Sequence, residues 1–361
     1  MTTAHGELSG FSVLSMTFVS DVDGYALGTV KCASGRCVSV LRTRDGGTHW
    51  TRVRAPATHP GGLFNTCPTH QPCVAQIRFA TPLIGYAFDP SLFVTTDGGL
   101  RWHQLRGLSV TSLEAAGGAG GTAVRVASNG QGCSGMPYKV QSANVAAFTW
   151  HLLPAPPLIK ICPPTLYRQG QRLALAAYGN AAGGVRALAA IAVSEDGGAT
   201  WKNVPDKCGG KDGYAARVTI APPHVLVLLC RHQMTLPGGG SGPAWVRVST
   251  NDGATFGPDR PVVASHGFPA KKVFAYGVAA ASASRLVVIA TSAHRDFALV
   301  SQNGGRIWST RLSIRSASAD DSNTFMLIGF QDPLTARIAL GNRVWTTVDG
   351  GNRWKVNLFK K

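Results

Sequence analysis

One phrase recurs along this chain and constrains its fold more than any other feature. It reads Thr43-Arg44-Asp45-Gly46-Gly47-Thr48-His49-Trp50 and returns from Thr95 to Trp102 around Asp97-Gly98-Gly99, and from Ser194 to Trp201 around Asp196-Gly197-Gly198. Three more copies run from Ser249 to Phe256 around Asn251-Asp252-Gly253, from Ser301 to Trp308 around Asn303-Gly304-Gly305, and from Thr347 to Trp354 around Asp349-Gly350-Gly351. Successive copies lie roughly fifty residues apart, with one interval of roughly twice that. Midway through the long interval, Ser142 to Trp150 keeps a hydroxyl, the amide of Asn144 and the closing aromatic but has lost its glycines, and reads as a degenerate copy. Four short strands and their turns consume about fifty residues. The expectation is therefore an all-β chain forming a single seven-bladed β-propeller of four-stranded antiparallel blades, with limits near 10–56, 61–106, 109–154, 163–205, 213–262, 268–314 and 320–361.

The chemistry of the phrase explains its form. An Asp or Asn side chain accepts bonds from backbone N–H groups further along a turn, and Gly supplies positive φ where the chain reverses. The closing Trp or Phe can tuck its ring beneath the hairpin against a neighbouring sheet. Asp45, Asp97, Asp196, Asn251, Asn303 and Asp349, with Trp50, Trp102, Trp201, Phe256, Trp308 and Trp354, are thus read as architecture.

The pattern S/T-x-D-G-G-x-x-W resembles the Asp-box (BNR) repeat of sialidases, sortilin-type receptors, some glycoside hydrolases and the photosystem II assembly-factor propellers. The pairs Phe18-Val19-Ser20 with Gly24-Tyr25-Ala26-Leu27-Gly28, and Phe79-Ala80-Thr81 with Gly85-Tyr86-Ala87-Phe88, look most like the assembly-factor type found among bacterial secreted proteins. The resemblance spans the whole chain and implies the fold. It implies little about chemistry, because in those families the box sits away from the ligand site.

In blade 1 the strands are expected at 13–19, 25–30, 38–43 and 49–53, from β-branched richness and alternation of the kind seen in Val344-Trp345-Thr346-Thr347-Val348, with almost no helix anywhere. With 44% hydrophobic and 15% charged residues the chain can bury a large core. Cys32, Cys37, Cys67, Cys73, Cys133, Cys162, Cys208 and Cys230 lack the C-x-x-C spacing of zinc sites and read as disulfides, neighbours pairing in that order, which implies an oxidising compartment. No stretch is long and apolar enough to span a membrane. An extracellular or cell-surface protein is expected, its export signal or lipoprotein anchor removed.

In an up-and-down blade the turns alternate between two ends. The phrases fall at one end, while the cysteines and the longer insertions fall at the other, so the disulfide-bearing end is read as the working face. It collects Arg231, His232, Lys271, Lys272, His294 and Arg295, and with Tyr138 these are the ligand-binding candidates. The chain carries 35 Lys and Arg against 18 Asp and Glu, a formal +17, which favours an anionic partner. No nucleic-acid motif accompanies the charge.

Catalytic chemistry finds little material. A sialidase-like site would need an arginine cluster, a tyrosine nucleophile with a glutamate, and an acid/base aspartate, yet the glutamates are Glu7, Glu114 and Glu195 alone, and the Arg-Ile-Pro opening motif is missing. Glu114, Asp296 and His232 are the residues that would serve an enzyme. No nucleophile elbow, phosphate-binding loop or zincin pattern occurs, so no cofactor and no metal are expected. The expectation is a non-enzymatic, monomeric binding or scaffold propeller for an anionic polysaccharide or protein partner; the alternative is a glycan-active enzyme, sialidase-like or another glycosidase, working at the channel mouth.

Overall fold

The computed structural model describes residues 10–33, 35–61, 67–68, 71–118, 120–129, 138–154, 156, 164–180, 186–205, 208, 213–232, 243–263, 274–292, 295–315 and 327–359. Among them there is no helix, and seven four-stranded antiparallel sheets follow one another along the chain as the blades of a seven-bladed propeller. Blade 1 is Ser12–Phe18, Gly24–Cys32, Gly35–Thr43 and Thr51–Val53. Blades 2 to 7 begin at Gln76, Ser109, Thr165, Gly213, Phe274 and Leu327 and end at Leu105, Leu152, Val204, Pro261, Arg315 and Leu358. A short parallel pair outside the blades, His59–Pro60 with Cys73–Val74, was not foreseen. The chain divides into two compact units, Met1–Leu153 with Ala339–Trp345 and Val356–Lys361, and Pro154–Ile338 with Thr346–Lys355.

Burial grades across each blade. The second strand is almost wholly buried, as in Gly24–Cys32 and Val225–His232, whereas the fourth is exposed, as in Thr51–Val53. A strand covered on both faces reads as a continuous apolar run and an outer strand does not, which is why strict alternation holds only in part. First strands carry a register shift at one recurring point, between Val13 and Ser15, Val110 and Ser112, Ala215 and Arg217, and Ala275 and Gly277. Such bulges bend the strand and re-aim its side chains.

The Phe and Gly-Tyr-Ala segments singled out by sequence join blades 1 and 2. Phe18 faces Gly24 and Phe79 faces Gly85 across their hairpins; a Cβ on either glycine would lie 2.4–2.5 Å from the ring. Tyr25 then stacks on Phe79 at 3.5 Å and donates its hydroxyl to the carbonyl of Pro82 at 2.7 Å. Within the same unit, Phe359 packs against Phe11 and Trp50, tying the end of the chain to blade 1.

In all six full copies of the phrase the hydroxyl accepts the N–H of the residue four further on, from Gly47 to Thr43 through Gly351 to Thr347, at 2.7–2.9 Å. It also donates to the Asp or Asn oxygen at 2.8–3.0 Å, and that oxygen accepts the N–H of His49, Arg101, Thr200, Thr255, Ile307 or Arg353. Burial works against the Asp45 carboxylate, but hydrogen bonds from His49 and Thr43 outweigh it and hold the group at about 2. The Thr200 hydroxyl and amide, with Ser194, hold Asp196 at about 2 as well. Trp50, Trp201 and Trp354 donate to the carbonyl of the last glycine of their own phrase, while Trp102 reaches the Arg54 carbonyl of blade 1. In the degenerate copy only the Asn144 side chain remains as clip, taking the N–H of Ala146, and Phe148 supplies the positive φ of 55°.

Disulfides join Cys32 to Cys37, Cys67 to Cys73 and Cys208 to Cys230, and no described cysteine is free. Cys32 and Cys37 lie within paired strands rather than in the loop expected for them. Cys133 and Cys162 lie outside the described residues. No helix of the described chain is long and apolar enough to cross a membrane.

Candidate functional site

The second unit brings four of the residues singled out by sequence to the disulfide-bearing ends of blades 5 and 6. The second strand of blade 5 runs to His232, and the buried bridge from Cys208 to Cys230 fixes it two residues earlier. Arg231 is 6% exposed, and its guanidinium lies over the ring of Phe274, the first residue of blade 6, at 4.2 Å. A planar guanidinium is weakly hydrated and stacks well on an aromatic face, so this cation is held by a platform instead of extending as a flexible fork. His232 is exposed and packs at a tilt against Trp245 of the adjacent third strand, with ring centroids 4.7 Å apart.

The bulge at the start of blade 6 falls on Tyr276, which donates its hydroxyl to Asp296 at 3.4 Å. Phe274 and Tyr276 stack with centroids 6.3 Å apart. Arg295, beside Asp296 at the start of the third strand, is exposed and donates to the Ser313 hydroxyl at 3.1 Å. Aromatic faces, two exposed cationic or titratable side chains and one carboxylate thus share this end of blades 5 and 6. Such a set can hold a planar or sugar-like face against aromatic carbon and an anionic group against guanidinium.

Lys271, Lys272 and His294 lie outside the described residues. Tyr138 belongs to the other unit, at the start of the third strand of blade 3 opposite Ser128, where burial pushes its hydroxyl up to about 12. Glu114, also in that unit, accepts from Arg78 at 3.0 Å, the two side chains being 22% and 25% exposed. Arg78 donates further to the Ser15 hydroxyl and the Ile77 carbonyl. The glutamate that an enzyme would call on is therefore an ion-pair partner between first strands, with a guanidinium and a hydroxyl as its company.

One group escaped the sequence reading. Tyr167 and Tyr178 of blade 4 approach with their hydroxyls 3.4 Å apart. Burial pushes the Tyr178 hydroxyl up, against the opposing pull of Arg217 from blade 5 and of the Tyr167 hydrogen bond. Three residues from three strands share no motif, and only the register between blades assembles them.

No family model matches this chain, and no curated protein does. Solved structures match over nearly its whole length. It is similar to one described as "YCF48 bound to D1 peptide" (17% identity, 96% of this chain and 92% of that one, TM-score 0.58). It is also similar to YCF48 from Cyanidioschyzon merolae (13%, 96% and 95%, TM-score 0.57). A third match is a PL25 polysaccharide lyase described as an ulvan lyase (10%, 98% and 95%, TM-score 0.60). At these identities the likeness is one of fold.

Proposed function

We propose that this chain is an exported, non-enzymatic binding propeller that holds an anionic polysaccharide at the disulfide-bearing ends of blades 5 and 6. The observation that carries the reading is the platform of Arg231 on Phe274, flanked by exposed His232 and Arg295 and set beside a bridged strand end. Aromatic carbon suits the face of a sugar ring, guanidinium suits a carboxylate or sulfate on it, and the formal charge of +17 draws such a chain from a distance. Glycoside hydrolysis asks for two carboxylates working across one bond; Glu114 is engaged by Arg78 and Asp296 by Tyr276. Likeness to a polysaccharide lyase supports a glycan partner. Likeness to a propeller bound to a peptide supports a second reading, in which the same end takes an acidic peptide.

An array of acidic polysaccharides, with neutral ones as control, tests the proposal on the oxidised protein. Binding to acidic members that weakens with salt, falls at least about tenfold in Arg295→Ala or Phe274→Ala, and proceeds without chain cleavage is the expected result. Cleavage of any polysaccharide, or binding indifferent to both substitutions, would overturn it. Binding only to acidic peptides would transfer the site to the second reading.

A further inference from the structure

The repeated phrase also sets up a second meeting in every blade. In each full copy the residue after the Asp or Asn donates its N–H to a carbonyl in the turn joining the first two strands. The pairs are Gly46 with Val22, Gly98 with Leu83, Gly197 with Gln171, Asp252 with His224, Gly304 with Ser284 and Gly350 with Leu334, at 2.7–3.0 Å. These two positions therefore stand side by side wherever the phrase occurs. Five pairs join a glycine to a residue that is neither histidine nor carboxylate. In blade 5 alone the pair is an aspartate and a histidine.

In three of the copies an arginine from the preceding blade lies over the glycine of this pair. Arg42 sits over Gly98, Arg260 over Gly304 and Arg285 over Gly350, each close enough to touch a Cβ built there. In blade 5 the corresponding arginine, Arg172, bonds Oδ1 of Asp252, and His224 Nδ1 stands 2.5 Å from Oδ2. Glu195, second residue of the blade 4 phrase, completes the group: one donor atom from each of Glu195, His224 and Asp252 lies within 4.8 Å of the others. Lys202 binds Oε1 of Glu195 at 3.0 Å. The Asp252 side chain is 8% exposed, while those of His224 and Glu195 are 49% and 43% exposed, so the group opens to solvent.

We propose that Glu195, His224 and Asp252 form a binding site for a divalent transition-metal ion of the zinc type. One imidazole and two carboxylates are a donor set that zinc accepts, with the fourth position left to water. Arg172 bonds one oxygen of Asp252 and Lys202 one oxygen of Glu195, which is the part that neighbouring groups play around metal ligands, orienting them and leaving the second oxygen of each carboxylate for the ion. Bonds of about 2.0–2.1 Å place tetrahedral donors about 3.3 Å apart. The exposed Glu195 chain closes on the ion to reach that spacing, and His224 and Asp252 move slightly apart as the ion replaces the hydrogen bond between them. A bound ion joins blades 4 and 5 and stabilises both.

Zinc chloride titrated calorimetrically into chelator-treated, whole protein is the test, with thermal unfolding as a second readout. One saturating ion per chain and a raised melting temperature are expected. Asp252→Gly restores the glycine that the other five copies carry beneath their arginines or turns, so it folds, and it abolishes the binding and the thermal shift. His224→Ala and Glu195→Gln each lower the affinity at least about tenfold. His49→Ala leaves the binding unchanged, since the exposed His49–Asp45 pair of blade 1 has no third donor of this kind among the described residues. Absence of saturable binding, or binding equally strong in Asp252→Gly or in the more exposed His224→Ala, overturns the assignment.

Discussion

Replacing Asp89 by Asn should change how the stability of this protein depends on pH. Asp89 closes the hairpin between the second and third strands of blade 2 and is 2% exposed. Its Oδ2 accepts from the Gln76 amide at 3.0 Å, and its Oδ1 has no hydrogen-bond partner. Burial pushes the carboxyl up to about 7, with the Gln76 bond pulling the other way. An aspartate in the unfolded chain titrates near 3.9, so the folded state prefers the protonated form over that whole interval. The stability this group contributes is then fully present below about pH 4 and is lost as pH rises through about 7. At about 1.4 kcal/mol per pH unit the loss amounts to at most about 4 kcal/mol. Asn is neutral throughout, keeps an oxygen for Gln76, and tolerates the φ of 83° found here. Denaturant unfolding of both proteins from pH 4.5 to 8 should show the Asn variant gaining on the parent up to about pH 7 and levelling off above it, by about 3 kcal/mol within that range. A difference between the two that stays constant across that range would refute the reasoning, because it would mean that Asp89 titrates alike in the folded and unfolded chains.

Two further substitutions probe packing and cross-linking. Gly117→Ala places a Cβ 2.1 Å from the Ala80 carbonyl oxygen, a backbone atom of the neighbouring blade, and should cost about 2–3 kcal/mol in denaturant unfolding. Gly329→Ala, whose Cβ meets nothing within 4 Å, should change stability by less than about 0.5 kcal/mol and serves as its control. Removing the Cys208–Cys230 bridge, which closes a separation of 22 residues between two fully buried sulfurs, should lower stability by about 3 kcal/mol in the double serine variant.

What the sequence discloses here follows the range of the interaction concerned. The phrase is legible because its hydroxyl, carboxylate and amides act within four residues, as from Thr43 to Gly47. The described disulfides are legible for the same reason, with separations of 5, 6 and 22 residues. Glu114 meets Arg78 across 36 residues, and Arg172 meets Asp252 across 80. Such pairs depend on which strand lies beside which, and at what register, so a sequence that announces seven blades still conceals them. The parallel pair of His59–Pro60 with Cys73–Val74 is hidden differently: two-residue strands beside prolines carry no periodicity to read.

That contrast also says where function should be sought in a repeat protein. A residue present in every blade, such as the phrase hydroxyl, is explained by the turn that each blade must close, and substitution there tests architecture. Function has to differ from blade to blade, because a partner touches some blades and not others. The informative positions are accordingly the departures: Arg231 and Phe274 at one junction, and Asp252 in the seat that glycine holds elsewhere. Asp252 keeps a positive φ of 55° that glycine adopts more readily, so the backbone gains nothing from the exchange. What the position gains is a carboxylate aimed at both Arg172 and His224. Arg260 and Arg285 lie over glycine at the equivalent place, so a carboxylate that meets an arginine and a histidine together is particular to the junction of blades 4 and 5 among these copies. Asp252 and His224, with Glu195 of blade 4 beside them, are what distinguish this junction among the described residues.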